Sequence, residues 1–348
     1  MALDLTEIAA RVALPDDGAR RQATDLLEEH SRPEGSLGRL GELGIWLAAT
    51  QGRCPTAPLE RVRLVVFAGD HDTTETEAPD TAATVRALLG GAGPTNVLAE
   101  LAGASSRAVD VAVDGTGLPA AVTQHKVRRG SGRIDIEDAL TRAEAEAAFT
   151  AGVTVADEEV DSGTELLVAA GVGAGGAVSA WTLATLLTSK DVASVIGSRS
   201  VADDRAWMLS CAAVRDAARR GRRVLGGGGD MIDLLAAVGG AEFAALTGFL
   251  VQSAVRRTPV VLDGLVTCAA AVVARRVSTR VTHWLVAGHR SPDPGHAALL
   301  ERLRLTPVVD YQIGLDDGVG ALLAVPPLRA AAALLASLGS PRPEPEIS

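Results

Sequence analysis

Short apolar runs rich in β-branched residues alternate along the chain with longer stretches of helical periodicity. The runs predict strands at Val62–Ala68, Arg107–Val113, Glu165–Ala170, Ala193–Gly197, Pro259–Leu262, Thr282–Ala287 and Pro307–Val308. The intervening stretches, such as Thr84–Ala102, Val178–Leu187 and Ala241–Arg256, predict helices. Because strands that alternate with helices form crossover connections, the pattern predicts an α/β fold with a doubly wound parallel sheet.

The two ends of the chain show helical patterns without a strand. Residues 1–52 precede the first strand, and residues 321–340 follow the last one, with an interruption at Pro326-Pro327. We expect these ends to pack together as a smaller helical subdomain beside an α/β large domain at 53–320. Residues 341–348 are proline-rich and are expected to form a flexible tail.

Composition and charge narrow the class of partner. The chain is 47% hydrophobic but only 3% aromatic, so Ala, Val and Leu must fill its core. Its formal net charge of −10 argues against nucleic acid or an anionic membrane surface as the main partner. No apolar run is long and uninterrupted enough to predict a membrane span. We therefore expect a small-molecule ligand.

The cysteines and the first residues favour a cytoplasmic protein. Cys54, Cys211 and Cys268 are far apart and odd in number, which predicts neither a disulfide framework nor a metal site. The start of the chain mixes Asp4 and Glu7 into its apolar residues, unlike a signal peptide.

Polar or glycine-rich segments follow four of the predicted strands. They are Gly69–Asp72, Gly171–Gly176, Asp263-Gly264 and Gly288–Ser291. Ligands of open parallel sheets bind beyond the carboxyl ends of the strands, so we expect these loops to line one cavity. The candidate ligand-binding residues there are Asp70, His71, Gly171, Gly173, Gly175, Gly176, Asp263, His289 and Ser291.

Each candidate has a structural alternative. The glycines could let backbone N–H groups approach a phosphate or carboxylate, or could serve only a tight strand-to-helix turn. No Lys-Ser/Thr pair follows them, which excludes a P-loop. Asp70 and His71 could bind a polar ligand, or Asp70 could cap the turn. Of Asp316 and Asp317, one could cap the last helical region, or one could act as a general base.

Five segments together carry a resemblance to a known family. They are Arg32–Leu40, Val66–His71, Lys126–Gly132, Pro259–Gly264 and Gly288–His296. In order and number they resemble the nicotinate-nucleotide:dimethylbenzimidazole phosphoribosyltransferases of cobalamin lower-ligand assembly. The resemblance covers nearly the whole chain.

The resemblance implies a reaction, a fold and a partner. The family joins the ribose phosphate of nicotinate mononucleotide to a nitrogen of an aromatic base, dimethylbenzimidazole, and releases nicotinate. It needs no metal or cofactor, and it forms homodimers with a small helical domain built from both chain ends. Its catalytic base is a glutamate near the C-terminus, which aligns with Asp317, and Asp316 lies beside it in the substrate site.

Several positions depart from the family pattern. The acid of the glycine loop is Ala169 here, and its Asn-Thr-Thr is Ala174-Gly175-Gly176. A later Arg-Lys pair is Leu209-Ser210, and an arginine before the base segment is Gly314. The segment after His71, which carries aromatic-base contacts in the family, is shortened to 72–79.

These departures leave two hypotheses. The chain is an active phosphoribosyltransferase with an altered donor or acceptor, or it is a catalytically impaired paralogue that binds a ligand or partners an active chain. Losing several charge-assisted phosphate contacts, at roughly 1.5–3 kcal/mol each, weakens nucleotide binding unless other donors such as Arg128, Arg129 or Arg290 replace them.

Overall fold

The core of the protein is a five-stranded sheet. The computed structural model describes residues 3–30, 33, 35–72, 80–197 and 203–339. The strands are β1 (Val62–Gly69), β2 (Ala104–Ala112), β3 (Leu166–Val172), β4 (Val260–Leu262) and β5 (Leu285–Ala287). Every neighbouring pair is parallel, and the order across the sheet is β2-β1-β3-β4-β5. The predicted α/β class with a parallel sheet is confirmed.

Helices connect and cover these strands. Those in the first half are α1 (Leu5–Arg11), α2 (Asp17–His30), α3 (Gly38–Gln51), α4 (Thr81–Leu89), α5 (Pro94–Leu101), α6 (Ala120–Thr123), α7 (Arg142–Asp161) and α8 (Gly176–Thr188). Those in the second half are α9 (Val192–Ile196), α10 (Asp204–Gly226), α11 (Met231–Val238), α12 (Ala241–Val255), α13 (Leu265–Val277), α14 (Pro294–Leu303), α15 (Val319–Leu322) and α16 (Val325–Leu338). A 3₁₀ turn, Thr279–Trp284, precedes β5.

Both faces of the sheet are buried, because successive side chains of a strand point to opposite sides. In β1, Val65 and Phe67 join a core with α7, α8 and α11–α14. Leu64 and Val66 join a second core with α3, α15 and α16 on the other face. The sheet is therefore doubly wound, as predicted.

Two predicted strands were wrong in detail, and one predicted helical stretch is divided in two. Ala193–Gly197 is not a strand but lies mostly in α9, because the Asp191 side chain accepts a hydrogen bond from Ser194 N at 2.9 Å and caps a helical turn. The predicted strand Thr282–Ala287 starts as the 3₁₀ turn. The stretch Thr84–Ala102 forms two helices, with Pro94 starting the second.

Pro307–Val308 makes only a short extension of the sheet. Val308 N donates to Ala287 O at 2.9 Å, and Val309 forms an isolated parallel bridge with His289. The segment therefore lies beside β5 without forming a full strand.

The helices of the two chain ends contact each other and the sheet. Ala23, Leu27, Ala48 and Leu335 form a small cluster between α2, α3 and α16. The Thr56 hydroxyl donates to Ala332 O at 2.7 Å and links α16 to the segment before β1. A separate helical subdomain stays a prediction. The predicted tail at 341–348 lies outside the described residues.

One apolar stretch has the length and composition of a membrane span. It is Val319–Leu338, and among the residues that the structure describes 56% of its most apolar 18-residue window is buried. The structure divides it into α15 and α16, and both contribute side chains to the core against the sheet. Its apolar character is therefore used in packing.

Helices α7 and α12 pack closely against each other at two glycines. A Cβ added at Gly152 of α7 would overlap the Ala245 carbonyl oxygen of α12. A Cβ added at Gly248 of α12 would overlap the Phe149 carbonyl oxygen of α7. The two backbones are therefore in direct contact, and neither position has room for a methyl group.

We expect Gly152→Ala to lower the free energy of unfolding by roughly 1–3 kcal/mol or more, because the helices must separate to admit the methyl group. Gly226→Ala is the matched control, since no atom lies within 4 Å of a Cβ added at this helical glycine. Alanine there should be neutral or stabilising. Urea unfolding of both variants measures the difference, and equal midpoints would refute the packing argument.

Candidate functional site

The carboxyl ends of the strands bring the predicted loops to one edge of the sheet. His71 N, after β1, donates to Ala174 O, after β3, at 2.9 Å. Gly171 N donates to Asp316 O at 3.3 Å, and Gly288 N donates to Leu262 O at 2.8 Å. The loops after β1, β3, β4 and β5 are therefore adjacent, together with the segment before α15. Whether they line a single cavity stays a prediction.

Asp70 links its own loop after β1 to the loops after β2 and β3 and to the start of α4. Its Oδ1 accepts hydrogen bonds from the Thr81 hydroxyl and from Ala174 N, the latter at 3.0 Å. Its Oδ2 accepts from Asp114 N at 2.7 Å. Both carboxylate oxygens are thus engaged with the protein, which supports the structural alternative for this residue.

His71 belongs to a buried polar group that includes a residue not predicted from the sequence. Its Nε2 is hydrogen-bonded to Oε1 of Glu242, and its Nδ1 lies 3.3 Å from the Ser179 hydroxyl. All three residues are buried, and Oε2 of Glu242 has no partner among the described residues. One signal pointed to Glu242: it is the only charged residue of α12, whose sequence is mainly apolar.

The glycines of the β3–α8 loop have steric reasons to be glycine. A Cβ at Gly173 would overlap the Gly69 carbonyl oxygen, and one at Gly171 would lie 2.6 Å from Val266 Cγ1. Gly175 has a φ of 73° and is the N-cap of α8. Gly176 starts α8, and no side chain caps this helix. Close packing explains why Gly171 and Gly173 are glycines. It does not account for the uncapped start of α8.

Asp263 and Asp316 make reciprocal helix caps: each lies before one helix and caps the other. Asp263, just before α13, accepts hydrogen bonds from Gly318 N at 2.9 Å and Ala321 N at 2.8 Å, at the start of α15. Asp316, just before α15, accepts from Leu265 N at 2.9 Å, at the start of α13. Of the two alternatives for Asp316 and Asp317, helix capping does not hold at α15, because the backbone N–H groups there donate to Asp263 instead.

Two buried histidines lie beside this pair. Nε2 of His289 is 3.4 Å from Oδ1 of Asp263. Burial lowers the pKa of His289, but the negative charges of Asp263 and Asp316 outweigh it, so the pKa is raised. His296 has its pKa lowered to about 3 by burial and by its cationic neighbours, and its Nδ1 is 2.8 Å from the Ser291 hydroxyl.

The two adjacent aspartates differ in their surroundings. Burial, followed by the charges of Asp263 and Asp293, raises the pKa of Asp316 to about 7. Asp317 points towards α5, where its Oδ2 accepts a hydrogen bond from the Thr95 hydroxyl at 2.6 Å. Oδ1 of Asp317 is buried and has no partner in the described chain. Thr95 was not predicted, because it lies more than 200 positions away in the sequence.

Metal and disulfide chemistry find no support within the described ranges. No group of three or more His, Cys, Asp or Glu side chains there is arranged to hold a metal ion. Cys54, Cys211 and Cys268 are free thiols.

Comparison with known proteins identifies the family. A family model described as phosphoribosyltransferase matches residues 12–341. The nicotinate-nucleotide–dimethylbenzimidazole phosphoribosyltransferase of Streptomyces avermitilis is 49% identical over 345 residues, covering 97% of this chain and 91% of that protein. The chain belongs to this family.

More distant members agree. The Mycobacterium marinum protein of the same name is 45% identical over 336 residues, covering 95% of this chain and 93% of its own. A crystal structure of the Thermus thermophilus phosphoribosyltransferase of the family superposes with a TM-score of 0.84 at 31% identity, covering 94% of this chain and all of that one. The likeness agrees with the α/β class and the parallel sheet.

The positions that depart from the family pattern lie in varied surroundings. Ala169 is fully buried in β3, and Ala174 bonds to Asp70 and His71 through its backbone. Leu209 is 52% exposed on α10, whereas the neighbouring Ser210 is buried. Gly314 is exposed in the loop before Asp316. The shortened segment at 73–79 lies outside the described residues.

The arginines considered as replacements for lost phosphate contacts are paired with carboxylates. Arg128 lies 3.3 Å from Glu144. Arg129 lies 3.1 Å from Asp114, and Arg290 lies 3.5 Å from Asp310. Each would have to leave or share its partner to bind a phosphate.

The raised pKa of Asp316 predicts a pH-dependent effect of Asp316→Asn. The unfolded chain ionises this carboxyl near pH 4 and the folded chain near pH 7, so its contribution to stability falls as pH rises through this window and is constant above it. The amide still accepts from Leu265 N but carries no charge. We expect the variant to gain roughly 1–3 kcal/mol relative to the wild type above pH 7, and little near pH 4.

Thermal unfolding of both proteins from pH 4 to pH 8 measures this difference. Asp316→Ala is the control, since it also removes the acceptor for Leu265 N and should gain less. A difference between wild type and Asp316→Asn that does not grow with pH would contradict the assignment.

Proposed function

We propose that the chain transfers the ribose phosphate of nicotinate mononucleotide to a nitrogen of a benzimidazole-type base, in cobamide synthesis. The observation that carries the proposal is the position of Asp317. Its carboxylate is oriented by Thr95, and Oδ1 has no partner among the described residues at the edge of the sheet where the loops meet. The curated relatives are named for this reaction.

In the proposed reaction, the bond between the ribose anomeric carbon and the nicotinate nitrogen breaks, and the bond electrons leave with nicotinate. A lone pair of the benzimidazole nitrogen forms the new bond to that carbon. The other ring nitrogen then carries an excess proton, which Oδ1 of Asp317 accepts. Oδ2 stays bonded to Thr95 throughout, so the carboxylate keeps its orientation during the transfer.

The start of α8 is the proposed phosphate-binding element. The helix is 13 residues long, has no side-chain cap and no acidic residue in its first turn, and begins directly after the glycine loop. Free backbone N–H groups and the positive helix end favour an anion. This backbone site would offset part of the binding lost with the cationic side chains.

We expect Asp317→Asn to lower kcat by about 10²–10⁴-fold, because the amide cannot accept the proton, while the binding of nicotinate mononucleotide stays nearly unchanged. Asp317→Glu, which restores the family residue, should keep measurable turnover. Release of nicotinate in the presence of dimethylbenzimidazole measures the rate. Wild-type turnover in Asp317→Asn would dismiss this residue as the base.

The alternative is a catalytically impaired paralogue that binds a ligand or partners an active chain. Leu209, Ser210 and Gly314 favour it, because they stand where the family pattern has cationic residues. In that case wild type and Asp317→Asn are both inactive alone, whereas nicotinate mononucleotide or an added paralogue still raises the melting temperature.

The chain is further proposed to be a cytoplasmic homodimer that assembles through helices of the large domain. Exposed apolar side chains on α4 and α5 support this, since Leu89 is 46%, Val97 57% and Leu101 74% exposed. Leu89 and Val97 line a cavity of about 430 Å³ next to the edge strand β2. A second copy would cover this patch.

Light scattering at micromolar concentration should give the mass of two chains. The double variant Val97→Glu, Leu101→Glu places charges in the patch and should shift the protein towards the monomer. Ile136→Glu, at an apolar side chain that is 64% exposed elsewhere, is the control and should remain dimeric. A wild-type monomer would refute the dimer, and an unchanged double variant would refute this interface.

A further inference from the structure

A cavity of about 420 Å³ lies away from the carboxyl ends of the strands and is lined by four arginines. They are Arg20 of α2, Arg39 of α3, Arg275 of α13 and Arg304 after α14. We call it the arginine cavity. Its volume falls within the range of about 300–1,000 Å³ that is typical of small-molecule sites.

The charges of the arginine cavity are not balanced. Glu42 is the one acidic residue in its described lining, and it pairs with Arg39 at 2.8 Å. Among the residues that the structure describes, Arg20, Arg275 and Arg304 have no carboxylate within 4.0 Å. The chain as a whole carries a net charge of −10, so this concentration of positive charge is a local exception.

Arg275 lies near other cations, and one donor of the Arg39 guanidinium is unsatisfied among the described residues. Nε of Arg39 is buried without a described partner. Burial lowers the pKa of Arg275, and the charges of Arg302, Arg304 and Arg276 lower it further. Like charges held together in a concave site repel one another, and a bound anion would relieve this repulsion.

The remaining lining suits an aromatic group. Leu43, Leu285 and Leu303 supply apolar surface beside Trp46, whose Nε1 donates to His283 O at 3.0 Å. This bond fixes the indole while part of the ring remains accessible. Burial and the charge of Arg20 lower the pKa of His283, which favours the neutral imidazole. The cavity thus combines an anion-binding side with an apolar, partly aromatic side.

We propose that the arginine cavity binds a small phosphate ester with an aromatic ring, of the nucleoside monophosphate class. Arginine is suited to phosphate because its planar fork forms paired hydrogen bonds. The site is separate from the proposed transferase site: Arg275 is ten residues from Leu265 at the start of α13, which corresponds to about 15 Å along the helix. It does not depend on the proposed function.

The test uses adenosine monophosphate, adenosine and inorganic phosphate as probes in calorimetric titrations of the full chain. We expect adenosine monophosphate to bind best. Arg275→Gln should weaken its binding by roughly 10- to 100-fold, because one charge-assisted contact is lost. Arg276→Gln is the matched control, since Arg276 is the next residue of the same helix, exposed and outside the cavity lining, and it should change binding by no more than about twofold.

Two further variants locate the probe and guard against misfolding. Trp46→Phe should abolish the change in tryptophan fluorescence that accompanies binding, because the other three tryptophans lie outside the cavity lining. Without ligand, Arg275→Gln should melt at or above the wild-type temperature, since it removes a like charge. If that variant fails to fold, Arg20→Gln takes its place with the same expected loss.

Several results would overturn the proposal. They are the absence of adenosine monophosphate binding at millimolar concentration, equal losses in Arg275→Gln and Arg276→Gln, and a fluorescence change that survives Trp46→Phe. Inorganic phosphate that binds as tightly as the nucleotide would refute the role of the aromatic side. Adenosine that binds as tightly would refute the role of the arginines.

Discussion

Asp263 is fully buried at the end of β4, and both of its carboxylate oxygens accept hydrogen bonds from the backbone at the start of α15. A buried carboxylate is costly unless its oxygens are satisfied, so this arrangement fixes where α15 begins relative to the sheet. Asp316 makes the reverse connection to α13. The segment that carries the proposed base is therefore held by two hydrogen-bonded connections to the β4–α13 loop. These connections determine the position of Asp317.

The sequence was most informative where the chain is most buried. β3 is a continuous apolar run, and β1 is one apart from Arg63; both are covered on both faces, and such runs identify central parallel strands. Prediction failed where a few residues decide the local structure. A single Asp191 cap turns a β-branched run into α9, and Pro94 starts a new helix inside an apparently continuous one.

The loops of the site could be predicted from the sequence, but the side chains that contact His71 and Asp317 from distant helices could not. Strand ends indicated Asp70, His71, Asp263 and His289, because parallel strands bring their carboxyl ends to one edge. Glu242 and Thr95 were missed, since each contacts its partner only after helices far apart in sequence are packed. Capping of α15 has the same explanation. Asp316 or Asp317 is the expected cap because it is near in sequence, but Asp263 from another loop accepts the hydrogen bonds instead.

Reciprocal capping also decides which parts of this protein can change independently. The loop before α15 and the loop before α13 each supply the hydrogen-bond acceptor that the other one lacks. If only one loop were replaced by that of a relative, the helix start capped by that loop could lose its hydrogen-bond acceptor. The two loops therefore depend on each other structurally. In this family we expect substrate range to change through paired substitutions, one in each loop, about fifty residues apart in the sequence.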